Sequence, residues 1–176
     1  MPTQLLARFR VALGWVFAPL VLIVAEPTAG SIAVGMSIAA VGEALRIWAA
    51  GHLNKAREVT SSGPYRWFAH PLYVGSSVMG AGLGIASHSV IVIGLIALYL
   101  FLTLRAAIAS EEAYLRRAFG DQYDLYRQGR DAARASGSSR PFSIGRAIAN
   151  REHRAVIGLV VAVLLLVLKA TYNGSL

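Results

Sequence analysis

Residues 67–104, WFAHPLYVGSSVMGAGLGIASHSVIVIGLIALYLFLTL, run for 38 positions without a Lys, Arg, Asp or Glu. One bilayer crossing takes about 20 apolar residues, so the stretch holds two. The natural turn is Ala86-Ser87-His88-Ser89, giving spans near 71–86 and 89–109. A water-soluble chain of this size would have to expose much of that surface. The rest of the sequence agrees, being 56% hydrophobic and only 15% charged with a mean hydropathy of +0.55, where soluble domains carry about 25% charged residues. The expected fold class is all-α, a polytopic membrane helix bundle forming a single domain over residues 1–176.

Three more apolar runs complete the count. They are 11–25, closed by Glu26-Pro27, then about 31–50, and 155–168, extended to a last span at 153–170. The first and last reach full length only if the stems of flanking Arg and Lys are included, with Lys169 expected to snorkel outward. The pattern at 1–25, RFR ahead of an apolar run ending in Ala25, also has the form of a signal peptide. We read it as the first of five spans.

The seventeen Lys and Arg residues then sort by loop. Arg8 and Arg10 precede the first span, and Arg46, Lys55, Arg57 and Arg66 lie at or between the second and third. Ten fall from Arg105 to Arg154, whereas 26–30 and 86–89 have none. Alternate loops are basic, which puts the N-terminus in the cytoplasm and the C-terminus outside. The net charge of +8 is thus spent on topology, and no nucleic-acid partner is implied. The absence of cysteine excludes disulfides, thiolate metal sites and cysteine nucleophiles. No metal-ligand spacing is present either. Oligomeric state is not encoded in any feature of the sequence.

Two cytoplasmic segments stand out. Residues 51–66 end in the turn signal Ser61-Ser62-Gly63-Pro64. Residues 111–128, EEAYLRRAFGDQYDLYRQ, place Leu115, Phe119, Tyr123 and Tyr126 on one helical face with Arg116, Arg117, Asp121 and Asp124 opposite. This predicts a helix on the membrane surface or folded back onto the bundle. Residues 131–150 read as a polar linker.

Ionisable groups in or beside spans are costly there and are functional candidates by default. Glu43 and Arg46 share a face of the second span and fit either a self-neutralising pair or a site. Glu111 and Glu112 follow the fourth span, either as a solvated helix end or with one carboxylate turned to a ligand and the other to Arg116. His70 precedes Pro71, a residue suited to a first helical turn, and histidine can exchange a proton near neutral pH. Gly80 and Gly84 form G-x-x-x-G, which permits close helix packing and also leaves room for a flat ligand. Of the nearby glycines, we expect Gly80 to serve packing and Gly82 to border a ligand, the opposite assignment remaining open.

In order along the chain, GPYRWFAHPLYVG and EEAYLRRAFGDQYDLY resemble the isoprenylcysteine carboxyl methyltransferase family. That family is part of a wider group of integral-membrane methyltransferases that includes the phospholipid methyltransferases. The carriers are Gly63-Pro64-Tyr65, His70-Pro71 with Tyr73, Glu111-Glu112, Phe119-Gly120, Tyr123 and Tyr126. Gly80-Ala81-Gly82 is similar to the G-x-G of the phospholipid branch, and LRIWAAGHL to a further family segment. The resemblance covers 42–128. Ala69 stands where the family usually has arginine, and Arg66 is the nearest substitute.

The resemblance implies S-adenosyl-L-methionine as cofactor, bound by His70, Pro71, Tyr73, Gly80, Gly82, Glu111, Glu112, Leu115, Tyr123 and Tyr126. It implies methyl transfer to a lipid-like or prenylated acceptor in the bilayer, with Arg46 and Glu112 as catalytic candidates and Arg46 orienting an anionic acceptor. A multi-pass protein of a bacterial inner membrane, its site facing the cytoplasm, is the expected setting. Two alternatives stay open. Membrane sterol reductases are similar in this region and bind NADPH, for which Arg116, Arg117 and Arg127 would have to meet the 2′-phosphate. A non-catalytic scaffold of the same fold is the other.

Overall fold

The computed structural model describes residues 19–54, 59–129 and 141–176. Among these, all regular structure is helical: α1 (Ala29–His52), a 3-10 turn (Gly63–Arg66), α2 (Pro71–Ala86), α3 (Val90–Phe119), α4 (Asp121–Arg127), α5 (Ile144–Ala149) and α6 (His153–Tyr172). Residues 19–24 are also helical and end the first expected span, whose earlier residues lie outside those described. The protein is a polytopic helical bundle. Helices α1, α3 and α6 are each long and apolar enough to cross a membrane. The 30-residue α3 buries only Val92, leaving side chains such as Leu98, Phe101 and Leu102 outward. Lipid is the solvent in which such a helix is stable.

The expected turn at 86–89 is found, with α2 ending at Ala86 and α3 starting at Val90. Helix α2 is shorter than a full span. Its 16 residues rise about 24 Å at 1.5 Å each, against a hydrocarbon core of about 30 Å. Its first turn therefore ends short of the far boundary, while α3 continues beyond it.

Helices α1 and α2 form the tightest seam. A Cβ on Gly82 would run into the backbone of Ala39 and the carbonyl of Gly35, and one on Gly42 into the backbone of Met79 and Gly75. Small residues at these points let the two backbones touch, which in lipid replaces the missing hydrophobic drive to associate. Gly82 thus belongs to helix packing, contrary to its expected place beside a ligand. Gly80 faces the other way, toward Leu100 and Ile96 of α3.

The two ends of the bundle differ. At one, Thr28 caps α1 in a reciprocal bond with Ser31, and Ser31 Oγ also donates to the Ala86 carbonyl at 3.0 Å. Lys169 does not snorkel away but donates to the Leu22 and Ile23 carbonyls at 2.8 and 3.0 Å, satisfying the last turn of the preceding helix. At the other end lie α4, α5 and the 3-10 turn. Here two expectations change. Residues 111–119 are no separate surface helix but the continuation of α3, because Ser110-Glu111-Glu112 contains nothing that breaks a helix. The break comes at Gly120, whose φ of 47° and ψ of −125° suit a residue without a Cβ. Likewise part of the supposed linker is folded, as α5 docks on the end of α1. Asn150 Nδ2 donates to the Ala50 and Leu53 carbonyls at 2.9 and 3.0 Å, and Arg146 Nε to Gly51 at 2.8 Å.

Candidate functional site

The start of α2 sets the geometry. Pro71, fully buried, occupies the first helical turn, where its missing N–H costs nothing. His70 is the N-cap, in a non-helical conformation with φ of −135° and ψ of 65°. The continuation of α3 brings two carboxylates to it. His70 Nδ1 lies 3.6 Å from Glu111 Oε2, and Nε2 lies 3.3 Å from Glu112 Oε1. A neutral imidazole has one N–H, so a ring facing a carboxylate at each nitrogen is best matched by the doubly protonated form. Burial opposes that charge, but the two carboxylates outweigh it, and the net effect raises the His70 pKa above 6.5. Arg127 Nη2 reaches Glu112 at 3.4 Å from the far side. The Tyr73 ring, one turn into α2, is centred 5.7 Å from the His70 ring.

Beside this cluster, the face expected from the spacing of 115, 119, 123 and 126 is assembled across the Gly120 break. Tyr123 and Tyr126 are buried with Val59, and Leu115 and Phe119 pack on them. The two tyrosine rings stack at 6.3 Å. Tyr126 Oη donates to the Tyr65 carbonyl at 2.9 Å, tying α4 to the 3-10 turn. Tyr123 Oη is buried without a hydrogen-bond partner, and burial raises the Tyr123 phenol's pKa. Tyr65 is buried too. Desolvation, then the nearby Glu111 and its tyrosine neighbours, push its phenol strongly up.

Arg46 lies outside this group. It meets Glu43 Oε2 through Nε at 3.5 Å and Glu152 Oε1 through Nη2 at 2.6 Å, and Nη1 donates to Ser76 Oγ. Two carboxylates thus face one guanidinium, so Arg46 is engaged within the protein. Glu152 and Ser76 are the residues that sequence reasoning missed. The signal for Glu152 was its place as a carboxylate immediately before the last apolar span; Ser76 gave none.

An apolar cavity of about 490 Å³ follows α2 from Tyr73 to Ser87, lined also by α3, α6 and residues Val21 and Leu22. Its wall includes Ser76, Gly80, Tyr99, Leu100 and Leu166. Tyr73 therefore belongs both to the cavity and to the His70 cluster. Gly82 does not reach this wall. The three arginines of the reductase alternative do not converge. Arg116 faces Asp124 at 3.6 Å, Arg117 bonds the Ala113 carbonyl of its own helix, and Arg127 meets Glu112. Arg66, beside Ala69, is exposed.

A helical membrane bundle with an ionic and aromatic site at the end of a short helix defines a membrane-embedded protein of enzyme-like construction. The phospholipid methyltransferase family model matches residues 28–122, more than half of the chain, and the protein belongs to this family of membrane methyltransferases. The chain is similar to the nickel-cobalt-cadmium resistance protein NccN of Alcaligenes xylosoxydans xylosoxydans, 35% identical over 96 residues, which are 53% of this chain and 44% of that protein. It is similar to the cobalt-zinc-cadmium resistance protein CzcN of Cupriavidus metallidurans, 37% identical over 87 residues, 48% of this chain and 39% of that one. A protein-S-isoprenylcysteine O-methyltransferase of Schizosaccharomyces pombe is 33% identical over 75 residues, 43% of this chain and 32% of that one. The matches span less than half the length of each of these relatives. No solved structure matches the chain.

Proposed function

We propose that the protein is an S-adenosylmethionine-dependent methyltransferase acting on a lipid-like acceptor in the bilayer, with its site at the cytoplasmic boundary of a bacterial inner membrane. The observation that carries this reading is the double membership of Tyr73. It joins a polar cluster built for a charged, water-soluble molecule to an apolar cavity suited to a hydrocarbon chain.

The residues fit the cofactor. Two carboxylates, Glu111 and Glu112, match an amino-acid ammonium or ribose hydroxyls. The stacked Tyr123 and Tyr126 and the neighbouring Tyr73 offer aromatic faces to a flat base and a positive sulfur. The orphaned Tyr123 Oη leaves one buried group able to bond a ligand. When bound, S-adenosylmethionine supplies a methyl carried on positive sulfur, already activated for displacement. The chain's task is then to align and to exclude water. His70, fixed between two carboxylates, holds the end of α2 against α3, and Tyr73 one turn on borders the acceptor space. The apolar lining of the cavity disfavours water on the acceptor side.

The separate engagements of Arg116, Arg117 and Arg127 favour this reading over an NADPH reductase. Calorimetric titration of the detergent-solubilised protein tests it. S-adenosylhomocysteine is expected to bind and NADPH not to bind. Binding of NADPH alone would support the reductase, and binding of neither would leave a scaffold.

A further inference from the structure

We propose that the corner between α5 and α6 binds an anionic lipid at the membrane surface on the side of the His70 site. Phe142, Ile144 and Ile148 dip beside the lipid's chains, and Arg151 and Arg154 meet its phosphate. The corner lies beyond the family-matched residues 28–122, and none of these five residues lines the cavity along α2. The lipid is therefore distinct from the proposed acceptor.

Three observations put the corner at headgroup level. Trp48 stands about 28 Å along α1 from Ala29, close to the thickness of the hydrocarbon core, about 30 Å. Its ring lies 5.7 Å from that of Trp67, and both are exposed, as tryptophans at a membrane boundary are. Helix α5 is clamped just beyond, on the carbonyls of Ala50, Gly51 and Leu53. Helix α6 then re-enters, and its 20 residues rise about 30 Å, so Arg151 and Arg154 stand at its inner boundary.

The chemistry of the corner is two-sided. Ala147 is buried against α1, whereas Ile144 and Ile148, one turn apart on a common face of α5, are exposed with Phe142. The Phe142 ring lies 6.0 Å from His52, whose ring lies 6.3 Å from Trp48. This aromatic file joins α5 to the outward stripe of α1, Val34, Val41 and Trp48. The stripe faces lipid, and α5 extends it into the headgroup layer, where a short apolar face flanked by arginine is stable. From Arg127 to Arg154 the sequence has seven arginines and two carboxylates, and one of these, Glu152, is buried against Arg46. Arg151 and Arg154 are exposed, and among the described residues neither side chain has an ion-pair or hydrogen-bond partner. Arg151 also turns the chain with φ of 65°, a left-handed conformation more usual for glycine or asparagine. Two unpaired guanidinium groups beside an apolar face complement a phosphate carried on hydrocarbon chains.

The test uses the full chain in micelles containing equal amounts of phosphatidylglycerol and phosphatidylcholine with the same acyl chains. Native mass spectrometry counts the lipid retained. One arginine near an anionic headgroup favours it about fivefold, so the native chain should retain phosphatidylglycerol at least fivefold over phosphatidylcholine. Arg151→Gln with Arg154→Gln should bring the ratio below twofold, and Arg151→Lys with Arg154→Lys should restore most of it, with far-UV circular dichroism unchanged throughout. Arg116→Gln with Arg117→Gln removes the same charge elsewhere and should leave the ratio as it is; an equal fall there would overturn the proposal in favour of net charge alone. Ile144→Ser with Ile148→Ser should lower retention of both lipids, and unchanged retention would overturn the docking of their chains. Displacement of phosphatidylglycerol by inorganic phosphate would overturn the lipid as ligand. Equal retention of the two lipids by the native chain would overturn the proposal outright and leave the corner to a protein partner. None of these readouts depends on cofactor binding, so the methyltransferase reading stands or falls separately.

Discussion

Alanine at Gly82 and at Gly80 adds the same methyl to the same helix, two residues apart, and the structure assigns the two changes very different costs. At Gly82 the new Cβ meets the Ala39 backbone and the Gly35 carbonyl. Backbone atoms in two packed helices cannot step aside, so α1 and α2 must separate along the seam. Overpacking costs about 1–3 kcal/mol, and a backbone obstacle belongs at the top of that range. Alanine's better helix propensity returns about 1 kcal/mol, leaving a net loss of about 2 kcal/mol. At Gly80 the obstacle is the Cδ1 of Leu100, the far end of a flexible side chain, with Ile96 Cγ2 at 3.2 Å. A displaced rotamer costs about 0.5–1.5 kcal/mol, which the propensity gain nearly cancels. Equilibrium unfolding in mixed micelles, followed by far-UV circular dichroism, should separate the variants by about 2 kcal/mol, with Gly80→Ala close to the native protein. Equal destabilisation by both, or a neutral Gly82→Ala, would refute the seam as the source of stability.

Four other outcomes are expected. Glu111→Gln and Glu112→Gln should each weaken S-adenosylhomocysteine binding by about 1.5–3 kcal/mol, the range for hydrogen bonds to charged groups, and unchanged calorimetric affinity in both would return the pair to ordinary surface charge. The His70 imidazole should titrate above 6.5 by NMR, because its carboxylate neighbours overcome its burial; a raised folded value means its contribution to stability is full below pH 6.5 and is lost as pH rises through the folded pKa, and a midpoint at or below 6.5 would contradict the pairing. Tyr126→Phe should cost about 1 kcal/mol in the same unfolding assay, since it removes the bond to the Tyr65 carbonyl, and a neutral change would show that α4 is held by ring packing alone. A reporter fused after Leu176 that is active only in the cytoplasm should be silent, and its activity there would sink the topology inferred from the basic loops.

What was legible in the sequence follows from the kind of signal involved. The turn at 86–89 and the span at the C-terminus are written in hydropathy and charge, which are local and cumulative, and both appear where expected. The pairing of His70 with Glu111 and Glu112 was legible only through resemblance, because the residues are 41 and 42 positions apart in the chain and no spacing rule crosses a tight turn. The face formed by Leu115, Phe119, Tyr123 and Tyr126 was right as a set and wrong as a helix. A 3.6-residue period survives a single-residue break if the chain folds back on itself, and Gly120 permits that fold. Gly82 failed for a different reason. Both faces of α2 carry small residues, and periodicity says which glycines share a face but not which neighbour that face meets.

The shortness of α2 gives the site its character. Helices α2 and α3 leave the same turn, yet α2 has 16 residues and α3 has 30, a difference of about 21 Å at 1.5 Å per residue. The end of α2 is therefore flanked by protein that continues past it, and the loop before it, with Tyr65 and His70, sits in the recess so formed. Lengthening α2 by one turn would carry His70 past Glu111 and out toward the headgroups. Shortening it by one would draw the charged cluster into the hydrocarbon, where its desolvation would be costly. At its present length the carboxylates meet the histidine at the recess, and Tyr73, one turn deeper, opens onto the apolar cavity. A water-soluble cofactor and a bilayer-bound acceptor would each need to travel only to that boundary to meet.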